Sequence, residues 1–190
     1  MAYELVVIGV SAGGLNALCA LFGALPDDYA QAVVVIQHRS KESDQLCEVL
    51  ADCSTIPVQE VTDKEPILPG RVYLAPADYH LLIEADHLAL DVDAPEMYSR
   101  PSIDVAFESA ALSFGDRLIG IVMTGANHDG SRGLREIADR GGVAIVQDPE
   151  TAEVKKMPRA AMEAVPEATV LPLGKIADRL VELGRTRRAS

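Results

Sequence analysis

Four stretches of the chain carry residue types that could make and break an acyl bond. GVSAGG holds Ser11, VVVIQHRS holds His38, TGANHDG holds Asn127, His128 and Asp129, and IVQDPE holds Asp148. Each follows an apolar, strand-like run. A serine, a histidine and an acid from three such ends could form a relay, in which the histidine takes the serine proton while the acid fixes the imidazole tautomer and offsets its charge. The first turn suits a nucleophile. Its glycines permit a sharp bend, a serine opening a helix faces the positive end of the dipole, and GVSAG satisfies the G-x-S-x-G form of a nucleophile elbow. Each residue also has an ordinary role: Ser11 as a helix N-cap, His38 as a hydrogen-bonded strand end, Asp129 as a turn residue or a cap for the following helix. It is their convergence on one sheet edge that favours the relay.

A phosphate-binding loop is the competing reading of the same turn. A dinucleotide fingerprint needs G-x-G-x-x-G and an acid at the end of the second strand. Here Ser11 stands at the second glycine's place, and the second strand ends in Gln37-His38. No Gly-Lys-Ser/Thr run is present for a Walker loop. A Rossmann-like nucleotide binder is therefore the lesser alternative.

The elements that must position these residues follow an α/β rhythm. Strands are predicted at 5–10, 32–37, 117–123, 143–147 and 169–171. Helices are predicted from the apolar faces of Leu15, Leu18, Phe22 and Leu25, of Leu46, Val49 and Leu50 within 43–52, and over 130–140, 158–165 and 176–183. The middle reads differently: 71–76, 79–84 and 87–93 look antiparallel and hairpin-like around Ala85-Asp86, and Ser102 is a plausible cap for a helix running to Ser113. The expectation is one doubly wound α/β domain over 1–184, with a mostly parallel sheet, helices on both faces and an inserted antiparallel β-hairpin. The segment 185–190 reads as a flexible tail. In such sheets ligands gather beyond the carboxyl ends of the strands, where Ser11, His38, Asp129 and Asp148 fall.

A formal net charge of -12 argues against nucleic-acid binding, which requires clustered Lys and Arg. No apolar run approaches the roughly 20 residues of a membrane helix, and the start MAYELVVIGV lacks a signal peptide's basic region, so a cytoplasmic protein without membrane insertion is expected. Cys19, Cys47 and Cys53 lack the paired spacing of a zinc site and read as buried thiols; no metal or cofactor is expected.

Further blocks surround the four stretches: ILPGRVYLAPADYHL, RPSIDVAFESAA, IGIVMTGANHDGSRGL, GGVAIVQDPETAEVKKMPRAAM and VLPLGKIADRL. In this order and spacing the chain resembles the catalytic domain of the chemotaxis protein-glutamate methylesterases, the CheB-type family. The resemblance implies a serine hydrolase with Ser11 as nucleophile, His38 as general base and Asp129 as orienting acid. It implies γ-methyl esters of glutamate on chemoreceptor helices as substrates, and glutamine deamidation as a possible second activity. It also implies a receiver domain or a methyltransferase as partner, in trans or in a larger protein, although none is expected within this chain. Ala12 stands where the family has threonine. Ala126 stands at a methionine whose backbone N–H is implicated, with that of residue 12, in the oxyanion hole. Asn127 replaces a glycine, and asparagine tolerates left-handed φ better than most residues. His128 replaces an asparagine and puts a second imidazole beside Asp129, where it could compete for the acid or act as base; His38, alone on its strand end, is preferred. His128, Asp148 and Arg159 are candidates to line a peptide groove, with salt-bridge or capping roles as the alternative for the last two. These changes also leave open a binding module of the same fold that has lost turnover.

Overall fold

The computed structural model describes residues 3–38 and 45–186. Its main sheet has seven strands in the order β10-β9-β8-β1-β2-β5-β3: β1 (Leu5–Val10), β2 (Ala32–Gln37), β3 (Val58–Glu60), β5 (Val72–Leu74), β8 (Leu118–Val122), β9 (Val143–Gln147) and β10 (Thr169–Leu171). Every pairing in it is parallel. Central strands buried on both faces read as unbroken apolar runs, and LVVIGV and AVVVIQ are such runs. A smaller antiparallel sheet holds β4 (Glu65–Pro66), β7 (His87–Asp91) and β6 (His80–Ile83). The expected hairpin is thus present as β6–β7 with β4 added. The segment around RVYLAP belongs elsewhere: β5 pairs in parallel with β2, Val33 opposite Val72.

Helices cover both faces. On one, α1 (Gly14–Phe22), α2 (Leu46–Cys53) and α6 (Leu173–Thr186) bury Leu18, Phe22, Leu50, Ile176 and Leu180 against Val6, Ile8, Val33 and Val35. On the other, α3 (Ile103–Phe114), α4 (Ser131–Asp139) and α5 (Lys156–Ala164) bury Ile103, Phe107, Leu134, Ile137 and Met157 against Val7, Val34, Leu118 and Val122. Alternate residues of one strand serve opposite faces, the two-residue period of a pleated strand. No helix of the described residues is long and apolar enough to cross a membrane.

Several expectations need correction. Val49, placed inward by periodicity, is 40% exposed: α2 is a short edge helix whose buried residues are Leu46 and Leu50. Residues 43 and 44 of the predicted helix lie outside the described residues. Pro158 sits inside α5, which opens two residues earlier at Lys156. Within its first turn a proline's missing N–H is tolerated. α6 runs through 185 and 186, two residues into the expected tail. Cys19 and Cys53 form a disulfide, Cα atoms 5.3 Å apart, rather than two thiols; Cys47 is not part of it. They are 34 residues apart in sequence, and only the side-by-side packing of α1 and α2 brings them together.

Candidate active site

β1 lies at the centre of the sheet, with β2 on one side and β8 on the other, so the winding reverses beside it. Open α/β sheets bind ligands at this switch point. Val10 is in register with Gln37, and Ser11 and His38 are the residues just beyond each. The His38 N–H donates to the Val10 carbonyl at 3.2 Å, and the Ser11 N–H to the Thr124 carbonyl, past the end of β8, at 3.0 Å. Nucleophile-type and base-type residues are therefore placed by the pairing of two buried strands.

The turn after β1 leaves Ser11 free of a capping role. Gly13, at φ 78°, is the residue flanking α1, and the Ser11 carbonyl accepts the Gly14 N–H at 2.8 Å. Left-handed backbone costs an L-residue with a side chain about 1–2 kcal/mol, so glycine belongs there. Ser11 is half-buried, and its hydroxyl has no hydrogen-bond partner among the described residues. Gly125 lies beneath it; a Cβ there would fall 3.0 Å from Ser11 Cβ and 1.9 Å from Met157 Sδ. Thr124 braces the turn, donating from Oγ1 to the Ala12 carbonyl at 2.8 Å while its own N–H donates to Gln147 Oε1 at 2.9 Å. The N–H groups of Ala12 and Ala126, both exposed residues, have no acceptor among the described residues.

Asp129 does not cap α4, whose flanking residue is Gly130. Its carboxylate is instead buried against the start of α3. Oδ1 accepts from Ser102 Oγ at 3.1 Å and the Asp104 N–H at 2.9 Å, and Oδ2 from the Ile103 N–H at 2.7 Å and His38 Nε2 at 2.7 Å. Helix N-termini offer unpaired N–H groups and a positive dipole end, so a carboxylate there is stabilised as the anion. Burial opposes that charge, but the His38 ring and the Asp104 and Ile103 amides outweigh it and hold the carboxyl below the usual aspartate range. Ser102 caps α3, accepting the Val105 N–H at 3.4 Å. Buried His80 spans the next layer: Nε2 donates to the Ala94 carbonyl at 3.1 Å, and Nδ1 accepts the Ser102 N–H at 3.2 Å.

Asn127 enters from the same loop as Asp129. Its φ is not positive, so the glycine it replaces is not required for left-handed backbone here. Its amide reaches His38 Nδ1 at 3.1 Å. His128 is exposed, and all four donors to Asp129 come from elsewhere, so His128 does not compete for the acid. Asp148 accepts the Glu150 N–H at 2.9 Å, and Arg159 lies 3.9 Å from Glu150. These two line a surface groove with Met162 and Glu163, and neither is bonded to Ser11, His38 or Asp129. Among the described residues no three His, Cys, Asp or Glu side chains cluster as a metal site needs.

The roles of Asn127, Thr124, Gln147, Ser102 and His80 around this site were not apparent from sequence. Asn127 was visible only as a departure from glycine, and Ser102 only as a helix cap.

Fold and site together define a doubly wound parallel α/β domain with serine, histidine and aspartate assembled at its switch point. The CheB methylesterase family pattern matches residues 6–180, and the chain belongs to that family. It is 45% identical over 185 residues to a Leptospira interrogans protein provisionally named a protein-glutamate methylesterase/protein-glutamine glutaminase, with 96% of each covered. It is 37% identical to a protein of the same two activities from Symbiobacterium thermophilum, covering 93% of this chain but 49% of that one. The crystal structure of the Thermotoga maritima CheB methylesterase catalytic domain superposes with a TM-score of 0.92 at 33% identity, covering 96% of this chain and all of that one.

Proposed function

We propose that this chain hydrolyses γ-methyl esters of glutamate side chains in a protein substrate, the methylated helices of chemoreceptors, with glutamine deamidation as a second activity of the same site. The observation that carries the reading is the 2.7 Å bond from His38 to the buried Asp129, one strand away from a serine whose hydroxyl has no partner among the described residues. Ser11 Oγ attacks the ester carbonyl as its proton passes to His38 Nδ1. The ionised Asp129 at Nε2 stabilises the imidazolium, and the free N–H groups of Ala12 and Ala126 receive the oxyanion. The C–OCH3 bond then breaks, and the His38 proton leaves with methanol. Water attacks the acyl-enzyme with the same base and frees glutamate and Ser11. With glutamine the leaving group is ammonia, and the rest is unchanged.

Methanol release from methylated receptor by the purified protein tests this, alongside labelling by a fluorophosphonate. Wild type releases methanol and is labelled at Ser11 alone, and Ser11→Ala abolishes both. Undiminished release by Ser11→Ala, or a label mapped to another residue, refutes the reading. Folded wild type that never labels indicates a binding module instead.

A further inference from the structure

We propose that Asn127 sets the rate at this site: its side-chain amide sits on the lone pair of His38 that must receive the Ser11 proton. The proposal rests on the triad reading above. The amide's orientation is fixed from behind, because the Asp129 N–H donates to Asn127 Oδ1 at 3.1 Å. Nδ2 therefore faces His38 Nδ1, 3.1 Å away. An amide nitrogen has only hydrogens to give, so Nδ1 is the acceptor and the ring proton sits on Nε2, donated to Asp129 Oδ2 at 2.7 Å. The bonds close a ring from the Asp129 amide through Asn127 and His38 back to the Asp129 carboxylate.

Neutral imidazole has one acceptor nitrogen with one lone pair. With Asn127 on it, Ser11 has no base to bond, and its hydroxyl is indeed without a partner among the described residues. Proton transfer reverses the balance. The Ser11 O–H bond breaks, its electron pair goes to the new bond with the carbonyl carbon, and the proton becomes an N–H on Nδ1. That N–H then points at the N–H of Asn127, donor against donor. Turning the amide over would offer Oδ1 to His38 but set Nδ2 against the Asp129 N–H. Neither orientation satisfies both neighbours, so Asn127 must leave His38 for turnover to proceed. A glycine at this place would offer no such amide.

The test compares wild type with Asn127→Gly and Asn127→Asp, reading the rate of fluorophosphonate labelling at Ser11 against pH and the ¹⁵N signals of the His38 ring. One neutral hydrogen bond corresponds to about a 2- to 10-fold effect. Asn127→Gly is expected to label faster by that factor on the alkaline plateau. Read in a Ser11→Ala background, where no hydroxyl can take the vacated place, its Nδ1 signal shifts toward that of an unbonded nitrogen. Asn127→Asp gives the ring a second carboxylate partner, so labelling near neutral pH falls roughly 10-fold or more and recovers only at higher pH. A purely structural role would slow both variants in parallel at every pH, and that result overturns the proposal. So does an Asn127→Gly profile identical to wild type. Should Asn127→Gly fold poorly, Asn127→Ala gives the same readout. If wild type is not labelled at Ser11, the triad reading fails, while an unchanged Nδ1 signal in Asn127→Gly refutes the contact itself.

Discussion

Replacing Asp104 with asparagine should stabilise the protein near neutral pH and leave it unchanged in acid. Asp104 is 4% exposed in the first turn of α3; its Oδ1 accepts the Gly133 N–H at 2.8 Å. Burial pushes its carboxyl up to about 6, opposed by the Gly133 hydrogen bond and reinforced by the negative charge of Asp129. In the unfolded chain it titrates near 3.9. Below about pH 4 both states are protonated and the group costs nothing. Between about 4 and 6 the unfolded chain releases its proton first, so stability falls as pH rises, and above that window the deficit is constant. At about 1.4 kcal/mol per unit the full deficit is about 3 kcal/mol, an upper bound. Asparagine keeps an oxygen for the Gly133 N–H and carries no charge. Urea unfolding of both proteins from about pH 4 to neutrality measures the difference, which isolates Asp104 from the other titrating groups. Asp104→Asn should gain about 1–3 kcal/mol at neutral pH and almost nothing near pH 4. A pH-independent difference, or a variant less stable than wild type at neutral pH, would show that burial does not penalise this charge.

Gly125→Ala should lose about 1–3 kcal/mol and label slowly, because the new Cβ, 1.9 Å from Met157 Sδ, must displace that side chain beneath Ser11; wild-type stability by denaturation would contradict the close approach. His80→Ala strips partners from the Ala94 carbonyl and the Ser102 N–H, at about 1–3 kcal/mol each. It should also lower kcat more than it raises KM, since Ser102 supports Asp129; an unchanged kcat would limit His80 to stability. His38→Ala should abolish methanol release and His128→Ala retain most of it, and the opposite pattern would transfer the base to His128.

Legibility in the sequence followed how local each feature is. The ends of β1, β2 and β8 were readable because buried parallel strands are unbroken apolar runs, and the residues after them become the candidates. Leu18, Phe22 and Leu50 were correctly placed inward by helical period; Val49 was not, since period alone does not tell a short edge helix how much of itself is covered. β3 and β4, at three and two residues, are too short to leave a pattern. The setting of Asp129 was hidden for a different reason. Its donors at Ser102, Ile103 and Asp104 are 27, 26 and 25 residues away in sequence, brought near only when α3 crosses the sheet edge. The Cys19–Cys53 pairing and the reach of Asn127 to His38 are equally matters of tertiary packing.

The register of Val10 with Gln37 has a consequence for when hydrolysis becomes possible during the life of the molecule. Ser11 and His38 emerge early in synthesis, on the ends of β1 and β2, well before the Thr124 carbonyl that takes the Ser11 N–H. The acid arrives far later, on the loop after β8, and its charge is favoured only once α3 has docked to receive it. A half-made or partly opened chain therefore presents a serine and an imidazole with nothing to polarise them. On the proposed triad, hydrolytic competence belongs to the finished sheet alone.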